Sequence, residues 1–458
     1  MKPAAGALLF MASTLSACNL SFGTVGTWST EAAPPTSLQG TSSVVMPNGE
    51  VVFLGGFDSR TGQPLNQVLR FDPKDSRWSQ GAPMPGEEIG YSIAALPNGL
   101  LLAAGGGGAG GGVSVLPVAG GGGTGGGSGL LATTWLYSPQ LNTWKKAGDL
   151  HVARSEAAAV LLTDGRVLIA GGSVPLATPI QLPDGSTDLF GFSTSAEIFD
   201  AQTNSWSLVG SMHVARGGVA LVALPHGMAL AAGGCAFANQ GIVAGGALTS
   251  SEVFDPATNA WTVTTPLPEP RCDATGLLMR DGRALLTGGS VSSFLGGSVT
   301  NALLYDEQKH AWTAAGSTVP GGSAPILLAD GLVFVAAEQA GQMVGNVTSL
   351  VVGGQVFDPG VGDWRFATSS SVLVSSRSGQ AEAPTVVAKS DGTATVLLET
   401  AGLVFIFNPA GVPPPVLILD SSGLALVLAG LAAALCLWLA SHYVVGRVHR
   451  GAGLRSES

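Results

Sequence analysis

One phrase recurs along this chain: "PNGEVVFLGGF", "PNGLLLAAGGG", "TDGRVLIAGGS", "PHGMALAAGGC" and "RDGRALLTGGS". Each joins a turn dipeptide (Asn48-Gly49, Asn98-Gly99, Asp164-Gly165, His226-Gly227, Asp281-Gly282) to a short apolar run and then a diglycine, whose first Gly lies six positions beyond the turn Gly. Two weaker copies, Asp330-Gly331 and Asp391-Gly392, keep the turn and lose the diglycine. A unit of this length cannot bury an apolar face by itself, so the copies must stack on one another.

The units also share a grammar. Asn-Gly or Asp-Gly between apolar runs predicts a hairpin with positive φ at both turn positions, so a strand precedes and follows each pair. A third strand ends in an aromatic and a turn residue: Phe71-Asp72, Tyr137-Ser138, Phe199-Asp200, Phe254-Asp255, Tyr305-Asp306, Phe357-Asp358 and Phe407-Asn408. A tryptophan then marks a fourth strand in six units: Trp78, Trp144, Trp206, Trp261, Trp312 and Trp364. The seventh unit runs out at Asn408-Pro409 without one, and Trp28, in "VGTWSTEAAPP", stands ahead of the first unit to supply it.

Four-strand units with Gly-Gly, a Tyr or Phe and a Trp in that order resemble kelch repeats. The resemblance covers about residues 24–410 and implies an all-β fold, a seven-bladed kelch-type β-propeller, with the last blade closed by an N-terminal strand around residues 26–30. Composition agrees: 67 Gly, 46% hydrophobic and 11% charged residues suit sheets with many tight turns. The net charge of −10, with no Lys/Arg cluster before the extreme C-terminus, excludes nucleic acid as a partner.

The two ends read as export and anchoring signals. Residues 1–18 form an apolar signal peptide whose "LSAC" resembles a bacterial lipoprotein signal, with Cys18 as the lipidated residue; an ordinary signal peptide is the rival reading. A Pro-containing linker, 411–423, leads to residues 424–445, which carry no Asp, Glu, Lys or Arg and as a helix would be about 33 Å long. The basic tail 446–458 then places a single-pass transmembrane helix with the tail in the cytoplasm and the propeller outside. A removable sorting signal and a buried helix share this form.

Candidate chemistry gathers on one face. The loops joining strand two to three and strand four to the next blade share the top, where three glycine-rich or extended inserts (105–129, 173–194 and 235–249) emerge; the longest lacks the features of a phosphate loop. Ten positions before the hairpin residue stand Glu88, Arg154, Arg216 and Arg271, and two positions later Glu156 and Asp273, with Gly90 and Gly218 at the matching places. These six charged residues form a candidate ligand site toward an acidic glycan or peptide carboxylate, against the plainer reading that the arginines bond neighbouring loop carbonyls and carboxylates. His151 and His213, in "HVAR", read as loop packing, His226 and His310 as bottom-turn residues, and Glu338 and Glu399 as solvated top-face acids. Cys235 and Cys272, on adjacent blades at the same face, form either a disulfide or two separate core residues.

Two functions survive: a membrane-anchored binding module for a glycan, peptide or surface protein, with no cofactor and no metal, and a carbohydrate-active enzyme using the carboxylates and arginines. The resemblance extends distantly to the propeller of galactose oxidase. A copper radical site like that enzyme's is disfavoured, because Tyr137 and Tyr305 occupy structural positions and Tyr91 alone lies near the top of an inner strand.

Overall fold

Hairpins form at every turn dipeptide, though by a different turn from the one the dipeptides predict. In blade 1 the Met46 N–H donates to the Glu50 carbonyl and the Gly49 N–H to the Met46 carbonyl, both at 2.8 Å, which closes a three-residue loop. The Gly of each pair has positive φ, and only His226 among its partners does as well. A three-residue loop ended by a left-handed Gly is what an Asx residue stabilises from the side: the carboxamide or carboxylate oxygen of Asn48, Asn98, Asp164, Asp281, Asp330 and Asp391 accepts the N–H two residues on.

The computed structural model describes residues 27–410 apart from 37, 39–40, 59–60, 62, 87, 109–128, 182–186, 237–245, 292–296, 321, 345–346, 368, 376–384, 390 and 399–402. The signal segment with Cys18, the linker, the apolar segment 424–445 and the tail all lie outside these residues. Among the described residues no helix is long and apolar enough to cross a membrane.

Seven antiparallel four-stranded units follow one another, which makes the fold an all-β seven-bladed propeller. Blade 1 is Thr41–Val45, Val51–Gly55, Val68–Asp72 and Arg77–Gln80; blades 2 to 5 repeat the order, beginning at Ser92, Ala158, Ala220 and Thr275. Blade 6 departs from it: its second and third strands, Val333–Val344 and Val347–Asp358, run to twelve residues each, and Ser370–Ser375 pairs with the extension. A second extension is the hairpin of Ser173–Gln181 with Thr187–Phe192 in blade 3.

Blade 7 is made from both ends of this region. Thr385–Ala388, Ala394–Leu398 and Leu403–Asn408 supply three strands, and Thr27–Glu31 pairs antiparallel with the third, Trp28 opposite Phe407. That is the register of every other blade, where Phe71 faces Trp78, Tyr137 faces Trp144, Phe199 faces Trp206, Phe254 faces Trp261, Tyr305 faces Trp312 and Phe357 faces Trp364. Ring centroids in the seven pairs are 4.8 to 5.2 Å apart, within the range where tilted aromatic contacts add to plain burial.

The core is divided among the interfaces between blades. One cluster joins Leu102 and Leu136 of blade 2 to Val167 and Phe199 of blade 3. Another joins Phe334 and Val356 of blade 6 to Val396 and Phe405 of blade 7, and another joins Val387 and Leu397 of blade 7 to Val51 and Phe53 of blade 1. Clusters of the same kind occupy the interfaces of blades 1 with 2, 3 with 4, 4 with 5 and 5 with 6. Every blade face is thereby covered by its neighbour, as closed repeat folds require.

Candidate functional site

The diglycines and the arginines form one device. In blade 2 the second glycine, Gly106, donates its N–H to the Arg154 carbonyl of the next blade at 2.8 Å; Gly172 does the same to Arg216 at 3.1 Å and Gly234 to Arg271 at 2.9 Å. The first glycine must lack a side chain, since a Cβ at Gly171 would sit 2.4 Å from the Arg216 carbonyl oxygen. The arginine side chain then turns back into its own blade. Arg154 donates to the Gly171 carbonyl at 2.9 Å, the Ser195 carbonyl at 3.0 Å, the Ser195 hydroxyl at 2.8 Å and the Glu197 carboxylate at 3.1 Å. Arg216 repeats the set with Gly233, Ser250 and Glu252. Arg271 uses Gly288, Asn301 and, in place of a strand-three glutamate, Glu269.

These three guanidinium groups are fully buried. Burial lowers their pKa values and the facing glutamates partly offset it. Arg154, Arg216 and Arg271 therefore do not line the mouth of the ring: their donors are spent inside the protein, and the plainer of the two sequence readings applies to them.

Their partners Glu197 and Glu252 are the residues that sequence reasoning overlooked. Both are 0% exposed, and each carboxylate also accepts the backbone N–H groups of the "HV" pair ahead of the arginine and approaches its histidine ring, Nδ1 of His151 at 2.9 Å and of His213 at 2.8 Å. Burial alone would raise the Glu252 pKa, but the bonds from His213 and Arg216 outweigh it and hold the carboxyl below its ordinary value. A glutamate inside the apolar third strands "AEIFD" and "SEVFD" was the available signal, because an acid facing a core needs a cation waiting for it.

Carboxylates remain at the mouth. Eight positions before the hairpin residue blades 2 to 6 carry Gly90, Glu156, Gly218, Asp273 and Gly322, so two carboxylates stand among glycines. Glu156 and Asp273 both have φ of 53°, the conformation that Gly90 and Gly218 hold at the same place. Glu156 leans over Gly90 and Asp273 over Gly218, whose carbonyls accept the Glu156 and Asp273 N–H groups, each at 2.9 Å. Desolvation, and after it the charge of Asp273, pushes the Glu156 pKa up to about 7. Desolvation raises Asp273 as well, although its side chain is reached by water.

The remaining candidates are placed as follows. The Glu88 backbone pairs with Gly108 across the short ladder of Glu88–Ile89 with Gly107–Gly108. Cys235 and Cys272 are joined by a disulfide, Cα atoms 5.0 Å apart and both residues buried, beside the Gly234–Arg271 bond between blades 4 and 5. Glu338 pairs in register with Val352 in the long hairpin of blade 6, and Glu399 lies outside the described residues. The Tyr137 hydroxyl bonds Asn142 within blade 2, and the Tyr305 hydroxyl of blade 5 bonds Thr264 of blade 4. Among the described residues no group of three His, Cys, Asp or Glu could hold a metal ion.

Two comparisons bear on kinship. No curated protein matches the chain. A family model described as the Kelch motif matches residues 41–85, which is blade 1 with its flanks. Six further blades reproduce the strand order and the aromatic–tryptophan register of that one, and the chain is accordingly a kelch-repeat β-propeller.

Proposed function

We propose that this propeller is a protein- and peptide-binding module whose top mouth receives a cationic side chain between Glu156 and Asp273. Kelch propellers commonly serve protein interaction, and the observation that carries the finer reading is the pair of carboxylates at the place where neighbouring blades hold Gly90 and Gly218, with Arg154, Arg216 and Arg271 buried. The sequence expectation of an acidic ligand is thereby reversed. An Arg or Lys of a partner loop fits better than a carboxylate, and a neutral glycan hydroxyl could accept or donate at the same atoms.

The test is a peptide array on the purified full chain, comparing peptides centred on Arg, Lys, Glu and Gln. Arg and Lys peptides should bind, and E156Q/D273N should weaken them by about 1.5 to 3 kcal/mol, the size of a lost charge-assisted bond. Affinity should rise from about pH 6 to about pH 8 as Glu156 ionises. Preference for Glu peptides, or unchanged binding by the double variant, removes this reading. A second reading is kept by one observation: a carboxyl near pKa 7 beside another carboxylate suits general acid–base chemistry on a sugar. Turnover in a screen of glycosides and uronates, abolished by Glu156→Gln, would favour it.

We further propose that the propeller is exported and held at a membrane by residues 424–445, with Cys18 lipidated. What supports this is the apolar character of both segments and a disulfide suited to an oxidising compartment. Protease added to intact cells or spheroplasts should cut the propeller and spare an epitope after Arg455; an intact propeller in opened cell envelopes refutes it.

A further inference from the structure

The opposite face carries a cavity of the contrary charge. The turns of blades 1, 5, 6 and 7 enclose about 520 Å³, a volume in the range of small-molecule sites. Three cations line it, Lys74 from the third turn of blade 1, Arg280 from the hairpin of blade 5 and Lys389 from that of blade 7, against one carboxylate, Asp391. Asp391 is engaged by Thr393, whose hydroxyl and N–H its carboxylate takes at 2.6 and 2.9 Å, and it feels the charge of Lys389, so Lys74 and Arg280 are the cations it does not face. Arg280 is fixed in place as well. It lies across Gly331 and one of its N–H groups donates to the Ala329 carbonyl at 2.6 Å, so its head stands over the blade 6 turn while it still has donors to give.

Between the cations the walls are apolar. Leu327 and Val45 both border the cavity, and Val45 is 44% exposed, an unusual state for a branched aliphatic residue at the end of an inner strand. A chain of net charge −10 repels anions from most of its surface, so a pocket with an excess of two cations is the place where an anion can be held.

We propose that this lower cavity binds a small anion with an apolar body, its phosphate or carboxylate held by Lys74, Arg280 and Lys389 and its body resting on Val45 and Leu327. The site is independent of the carboxylate mouth, whose blades 3 and 5 residues open on the other face.

Titration calorimetry of the full chain with phenyl phosphate, benzoate, inorganic phosphate and phenol tests it. The first two carry both features of the ligand in its phosphate and carboxylate forms; the last two each carry one. Saturable binding of phenyl phosphate or benzoate at about a millimolar or tighter is expected, and at least about tenfold weaker binding of phenol and of inorganic phosphate. Lys74→Glu and Lys389→Glu should each weaken binding about tenfold or more, and Lys74→Glu should do so with an unchanged melting temperature. Lys74 stands on an exposed turn, so its variant reports even where a change at Arg280 disturbs the fold. Absence of saturable binding, phenol binding as well as phenyl phosphate, or folded variants that bind like the parent would each overturn the proposal.

Discussion

Arg216 shows how little of an arginine's chemistry survives to the surface once its donors are committed. Removing it leaves the Glu252 carboxylate buried without its cation and the Gly233 carbonyl without its donor, while the Ser250 carbonyl keeps only the Gly233 N–H. Arg216→Ala should therefore cost about 3 to 5 kcal/mol in urea unfolding. Arg216→Ala/Glu252→Ala, which removes the stranded charge, should cost less than the sum of the two single changes; strict additivity would show that the pair is not coupled. Glu156 behaves in the opposite sense. Its folded pKa of about 7 lies above the ordinary carboxyl value, so the folded state holds the proton more tightly, and stability is lost as pH rises from about 4.5 through 7. Glu156→Gln should melt like the parent near pH 4 and be about 1 to 3 kcal/mol more stable near pH 8. A melting difference that does not depend on pH would show that the charge of Glu156 is not what costs the stability.

The strand Thr27–Glu31 pairs with Leu403–Asn408 as the fourth strand of blade 7. Trp28 contacts Phe407, Phe405 and Phe334, with centroids 5.1, 6.2 and 6.1 Å away, yet it is only half-buried. Trp28→Ala should thus cost about 2 to 3 kcal/mol, below the figure for a fully enclosed indole. Deleting residues 24–32 should lower the melting temperature further and promote aggregation, because Leu403–Asn408 becomes an unpaired edge. Equal melting of the trimmed and intact chains would show that the seam holds without this strand. The element was legible because it breaks the count: six tryptophans follow six aromatics, and the seventh aromatic, Phe407, lacks one unless Trp28 serves it. Turn type was not legible from the dipeptide, since Asn-Gly serves a two-residue loop and a three-residue loop equally. Pro47 and Pro97, with φ preset for the first position of a longer loop, held the distinguishing information.

Across the whole molecule the repeat fixed the architecture, whereas the site depended on which way side chains turn, and strand parity does not reveal that. Arg154 and Glu156 share parity and were read alike. One folds back into its blade for carbonyls and an acid that the third strand supplies, and the other stands over a glycine at the mouth. The Cys235–Cys272 bridge closes a separation of 37 residues between blades 4 and 5, and the double Ser variant should lose about 2 to 4 kcal/mol. An unaltered melting temperature would assign that interface to packing and the Gly234–Arg271 bond. The bonds from Gly106, Gly172 and Gly234 run forward, from an earlier blade to the arginine carbonyl of the next, and this has a consequence for the order in which the molecule is made. As the chain is synthesised, every new blade from 3 to 5 meets a donor already waiting for it. Blade 7 reverses the order: Trp28 is made first and Phe407, its partner, hundreds of residues later. At about 5 to 20 residues per second the first strand waits on the order of tens of seconds for its place, and through that interval its unpaired edge and the Trp28 indole must be kept from pairing elsewhere.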